Sequence, residues 1–128
     1  MQFDDEKDYL MRIIKEIIRV LMSLLLGKNY AQVELPPENH YTVSGQKLDS
    51  LMEMADNGQI NEAENLLLSN LDYTDKEEVA AAAYFYQHLS EKGSSFLAGH
   101  AYSMEEVVDG LKQLAKRAGY EEVLDIIE

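Results

Sequence analysis

Apolar side chains recur along residues 3–28, FDDEKDYLMRIIKEIIRVLMSLLLGK, at intervals of three and four, the spacing of one face of an α-helix. At about 100° per residue, Leu10, Ile13, Ile14, Ile17, Val20, Leu21, Leu24 and Leu25 share one stripe, and Met11 and Ile18 widen it. Asp8, Arg12, Lys15 and Arg19 fall on the other side, either as a solvated stripe or as a strip that docks on an acidic surface. The acidic first turn suits the positive end of a helix dipole, and Gly27 predicts the stop. Burying one such aliphatic side chain is worth about 1.5–3 kcal/mol. Eight together rival the net stability of a domain, about 5–15 kcal/mol. The stripe therefore predicts contact with the rest of the chain, with a second copy, or with a lipid surface.

The next stretch has no such period. Residues 29–45, NYAQVELPPENHYTVSG, are expected to be an irregular linker, with a binding loop as the alternative, because Pro36-Pro37 forbids helix across its centre. Val33, Leu35, Tyr41 and Val43 are its candidate anchors. From residue 46 the helical period returns in short runs. Gln46–Asp56 places Leu48, Leu51, Met52 and Ala55 on one face and ends at Asn57-Gly58. Asn61 with Glu64 has capping-box spacing ahead of Ala63, Leu66, Leu67 and Leu71, and Thr74 with Glu77 repeats it before a helix to Ser90. Ser103 with Glu106 opens a third such helix, which carries Met104, Val107, Val108, Leu111, Leu114 and Ala115 to a Gly119 cap. Residues 121–127 predict a last short helix, while Gly93-Ser94-Ser95 is expected as loop. Sustained alternation of strand-forming residues is absent. The expected class is all-α, with a long N-terminal helix (1–28), a linker (29–45) and a helical-hairpin domain (46–128).

Residues 47–73 resemble a tetratricopeptide-type unit. Leu51 and Ala55 stand on the first helix, Gly58 at the turn, and Ile60, Ala63, Leu67 and Leu71 on the second, in the order of that motif's packing sites. Lys47, Asn70 and Asp75 stand where the motif has an aromatic, a small residue and a proline. The resemblance implies a tetratricopeptide-like array of short antiparallel helices, completed by the long first helix. The opening Tyr9-Leu10-Met11-Arg12-Ile13-Ile14, then Arg19, then Leu24-Leu25-Leu26-Gly27-Lys28, is similar to the start of a family of small uncharacterised bacterial helical proteins. That resemblance implies an all-helical fold and the cytoplasm, and no activity.

Charge narrows the partners. The net charge is −13, yet residues 1–28 hold five acids and five bases, so the excess, nineteen acids against six bases, lies in the remaining hundred residues. Such a surface repels phosphate backbones, which argues against nucleic acid. Cysteine is absent, so thiolate chemistry and Cys-based metal sites are excluded. Asp4, Asp5, Glu6 and Asp8 oppose a secretory signal, and the run from Ile17 to Leu26 is short of the roughly 20 residues a membrane span needs. The expected location is cytoplasmic.

Candidate chemistry is sparse. No HExxH, P-loop, GxGxxG or GxSxG motif occurs, and His40, His88 and His100 have no ligand spacing, so no catalytic residue, metal or cofactor is expected. The densest aromatic cluster is Tyr84, Phe85, Tyr86, Phe96, Tyr102 and Tyr120. Helical geometry points three consecutive residues in different directions, so part of it belongs to the core. Tyr84, Tyr86, His88 and Tyr102 are the candidate lining of a groove, because aromatics with a polar handle favour interfaces. The expected function is a non-enzymatic helical protein–protein interaction module. It would self-associate, foremost as a homodimer, through Leu10, Ile13, Ile14, Ile17, Val20, Leu21, Leu24 and Leu25, and hold a protein or peptide partner. The alternatives are a peripheral membrane adaptor, with Arg12, Lys15, Arg19 and Lys28 on anionic headgroups, and a small-ligand-binding helical protein.

Overall fold

The computed structural model describes residues 2–27, 41–122 and 124, with side chains from Tyr9 onward. Among them the elements are α1 (Gln2–Leu26), β1 (Thr42–Val43), β2 (Gln46–Lys47), α2 (Leu48–Asp56), α3 (Ile60–Ser69), α4 (Lys76–Glu91), α5 (Ser94–Ala98) and α6 (Met104–Arg117). The class is all-α, and the long first helix is present. Pro36-Pro37, His40, Lys28, Val33 and Leu35 lie outside the described residues, as does most of the last predicted helix.

The architecture turns on α4. Every residue from Val79 to Tyr86 is buried, followed by Leu89 and Ser90, so this helix is enclosed on all sides. Its run Ala80–Ala83 removes side-chain bulk along about one turn, which lets neighbouring backbones approach. α1 lies against α4 and α6, α6 against α4, and α2 and β1 complete the enclosure. α2 and α3 form the hairpin expected between 47 and 73, turning at Asn57-Gly58-Gln59. Beyond that pair, α1 closes across α4 and α6.

That closure answers what covers α1. Ile14, Ile17, Ile18, Leu21, Met22 and Leu25 are buried in the protomer's own core. Their spacing of three and four defines an arc rotated away from the predicted stripe. Met22 joins it, Leu10, Ile13 and Val20 are only half-buried at its edges, and Leu24 is 39% exposed. Four of the eight residues expected to carry self-association, Ile14, Ile17, Leu21 and Leu25, are thus occupied within one chain. The aliphatic side a lipid surface would have to receive is likewise turned toward α4 and α6. No helix among the described residues is long and apolar enough to cross a membrane.

The predicted linker needs a second correction. Residues 41–45 belong to the fold, as the entry to a small antiparallel hairpin that pairs Thr42 with Lys47 and Val43 with Gln46. Ser44 and Gly45 both have positive φ, 55° and 74°, the mirror-image turn whose twist matches paired strands. Val43 is fully buried. Ser44, also buried, donates its hydroxyl to the Leu67 carbonyl near the end of α3 and accepts the Asn70 N–H at 3.3 Å. Its own N–H donates to Glu78 Oε1 (3.1 Å), which also takes the Asp72 N–H (3.3 Å). One short turn thereby ties the end of α3 to the start of α4 and supplies a partner to a helix-terminal carbonyl.

Helix starts also differ from expectation in two places. α4 is capped by Asp75, whose side chain accepts from the N–H groups of Glu77 and Glu78, while the Thr74 hydroxyl donates to Asp72. α3 has no side-chain cap at Gln59; Asn61 instead donates to the Ala101 carbonyl at 3.2 Å. α6 begins as expected, with Ser103 accepting the Glu106 N–H at 3.2 Å. Ser94 and Ser95, expected as loop, start the short α5.

Candidate functional site

Glu64 sits one helical turn after Ile60 and three residues before Leu67, both fully buried, so its carboxyl group projects along the apolar side of α3. A carboxylate placed there needs polar partners. Two come from other elements. The Tyr86 hydroxyl on α4 donates to Glu64 Oε2 at 2.7 Å, and the Tyr102 hydroxyl, from the segment before α6, donates to the same oxygen at 3.0 Å. Both phenol rings are almost wholly buried. Burial, then the neighbouring charge of Glu64, pushes both phenols well above their ordinary titration range, so each stays a hydrogen-bond donor at any physiological pH. Among the described residues Glu64 has no ion-pair partner.

The triad forms the floor of a cleft of about 320 Å³ between α3, α4 and α6. Leu68, Tyr73 and Leu114 give it an apolar wall, Glu106 and Asp109 add two carboxylates, and Arg117 adds a basic group to the same lining. Arg117 lies over the Tyr73 ring at 5.7 Å and makes a long contact to its hydroxyl at 3.4 Å. Gly110 completes the floor: the Tyr86 ring crosses the α6 backbone where any side chain would collide with it. The volume lies at the lower end of the ligand-pocket range, roughly 300–1,000 Å³, enough for one side chain or a small molecule. The chemistry is that of a cation acceptor: carboxylates backed by fixed hydroxyl donors and aromatic faces.

Of the four residues expected to line a groove, the structure brings Tyr86 and Tyr102 together and separates the other two. Tyr84 turns away from the cleft and packs against Tyr41, ring centroids 5.6 Å apart. His88 belongs to a surface cluster that joins α2 to α4, in which His88 Nε2 (2.7 Å) and Lys92 Nζ (2.6 Å) share Asp56 Oδ1. Partial burial pushes the Asp56 carboxyl up, but hydrogen bonds from Lys92 and His88 outweigh it and hold the group below its ordinary value. His100 stacks on Phe96 at 4.6 Å and covers Gly58, and no three His, Cys, Asp or Glu side chains among the described residues are grouped to hold a metal ion. Sequence reasoning missed Glu64, Tyr73, Gly110 and Arg117. Only Glu64 left a signal, an acid within an otherwise apolar stripe.

Fold and cleft together define a small all-α protein with a tyrosine-backed carboxylate in a concave site. The chain belongs to a family of unknown function, DUF6483, whose model matches residues 4–119. The match runs from the first turns of α1 through the end of α6 and so takes in the whole cleft. No curated protein and no solved structure matches the chain.

Proposed function

We propose that the protein is a non-enzymatic helical interaction module that docks a segment of another protein through the Glu64–Tyr86–Tyr102 cleft, with a lysine or arginine of that segment seated on Glu64. The observation that carries this reading is the state of Glu64: half-buried, fixed by two phenol hydroxyls on one oxygen, and without an ion-pair partner among the described residues, Arg117 of the same cleft included. Glu106 and Asp109 add charge of the same sign at the cleft wall, and the net charge of −13 draws a basic partner from a distance. The α2–α3 pair, with its tetratricopeptide-like spacing, supports a scaffold role, because Glu64 and Leu68 project from its second helix into the cleft.

The test is selection from a random peptide library displayed against the full chain and, in parallel, against Glu64→Gln. Gln keeps an acceptor for both tyrosines and removes the charge. The expected result is enrichment of peptides with a fixed Lys or Arg, bound more than about tenfold more weakly by the variant and weakened by salt. Enrichment without a basic position, or equal binding by the variant, would refute the proposal.

A further inference from the structure

The core-facing arc of α1 leaves one apolar line outside. Tyr9 is 59% exposed and Leu24 39%, and half-buried Ile13 and Val20 lie between them on the same side of the helix. Tyr9 and Leu24 are two of the four large apolar residues exposed among the described ones. Fifteen residues of helix separate them, about 22 Å. The line is palindromic. Tyr9 and Leu24 are equidistant from the midpoint between Glu16 and Ile17, and so are Ile13 and Val20. A line with that symmetry is complementary to itself when a second helix runs antiparallel, as an isologous two-fold contact requires. Tyr9 then meets the other copy's Leu24, Ile13 meets its Val20, and the Glu16–Arg19 pair of each copy flanks the axis.

Charge selects the same surface. Two copies of a chain with net charge −13 repel over most of their area, whereas residues 1–28 carry equal numbers of acids and bases. The α1 surface is therefore where a second copy meets the least opposition. An anionic lipid surface is disfavoured by the acidic remainder, and a basic partner is better served by the cleft.

We infer that the protein self-associates as an antiparallel α1–α1 dimer along Tyr9, Ile13, Val20 and Leu24, with its two-fold axis beside Glu16. This face is the outer edge of the helix and not the broad stripe that its apolar pattern alone suggests. A single helix pair is small beside the roughly 1,200–2,000 Å² of stable interfaces, so the dimer forms in a concentration-dependent equilibrium.

The chain has no cysteine, so introduced thiols report contacts without background. Under oxidising conditions, a mixture of Tyr9→Cys and Leu24→Cys proteins should cross-link between the two variants, Glu16→Cys should cross-link to itself, and Tyr9→Cys alone should not. Light scattering of the unmodified chain should show a mass rising with concentration toward twice 14.6 kDa. The paired change Tyr9→Asp with Leu24→Asp, both at exposed sites, should hold the mass at one chain while the circular dichroism stays helical. A mass fixed at one chain over the whole concentration range, or self-linking of Tyr9→Cys in preference to the mixture, overturns the proposal.

Discussion

A β-carbon built on Gly110 would lie 2.4 Å from Cε1 of Tyr86. Gly110 stands in the middle of α6, where alanine would ordinarily stabilise the helix by about 1 kcal/mol. Here the contact is with a ring that is 1% exposed and hydrogen-bonded through its hydroxyl to Glu64. Gly110→Ala is therefore expected to destabilise the protein, by about 1–3 kcal/mol as for other overpacked sites. It should also draw the Tyr86 hydroxyl off Glu64. Urea unfolding with the near-ultraviolet tyrosine signal checks both effects, and a more stable Gly110→Ala protein would show that the ring does not lie where the structure puts it.

The two phenols on Glu64 give an alkaline signature. A group whose pKa is raised in the folded state stabilises the fold below its unfolded value, about 10 for tyrosine, and that contribution drains away as pH rises above it. Stability should thus fall from about pH 10 upward, and Tyr86 and Tyr102 should ionise only as the chain unfolds. Absorbance at alkaline pH, followed alongside circular dichroism, measures this. Tyr86→Phe at neutral pH should cost about 1.5–3 kcal/mol, because a carboxylate loses a donor. Combined with Glu64→Gln the loss should be less than additive, since the two changes remove the same interaction.

How much of this was legible in the sequence differs by element, for physical reasons. α1 and α6 were readable because their apolar positions recur over about three or more turns and because Ser103 bonds locally to the N–H three residues on. The direction in which α1 faces was legible in part: Ile14, Ile17, Ile18, Leu21 and Leu25 belong to the predicted apolar side, Met22 does not, and no pattern within α1 encodes that its neighbours are α4 and α6. The hairpin at 42–47 is too short for period-2 alternation, and its Ser44-Gly45 turn was its one local sign. In the site, Tyr86 and Tyr102 were reachable as aromatics near one another in the chain. Tyr73 and Arg117 were not, because 44 residues separate a pair that meets only through the packing of α6.

Asp56 ties α2 to α4 through His88 and Lys92, and its carboxyl is held below its ordinary value. A depressed acid contributes stability above its unfolded pKa, about 3.9, which is lost as pH falls through the folded value. The cluster is substantially exposed, so solvent screening limits the contribution to about 1 kcal/mol or less. Asp56→Asn should show that small deficit at neutral pH and in low salt, and the two proteins should converge as pH drops below about 4. Equal stability at neutral pH, or a deficit that grows on acidification, would be incompatible with the pairing.

Ser44 is a small residue with four roles: it holds a left-handed turn, donates to the Leu67 carbonyl, accepts from Asn70 and donates its N–H to Glu78. Two substitutions separate the hydroxyl from the backbone. Ser44→Ala keeps a β-carbon at positive φ and leaves the Leu67 carbonyl without that donor, so a loss of about 1–3 kcal/mol is expected. Ser44→Gly loses the same hydrogen bonds but relieves the positive φ, so it should be the milder change. If the hydroxyl is what joins the hairpin to α3, amide exchange in both variants should quicken at Asn70 and leave Val107 at the core of α6 protected. If Ser44→Ala instead proves as stable as the parent chain, Val43 burial and the backbone hydrogen bonds hold the hairpin and the serine hydroxyl contributes nothing measurable.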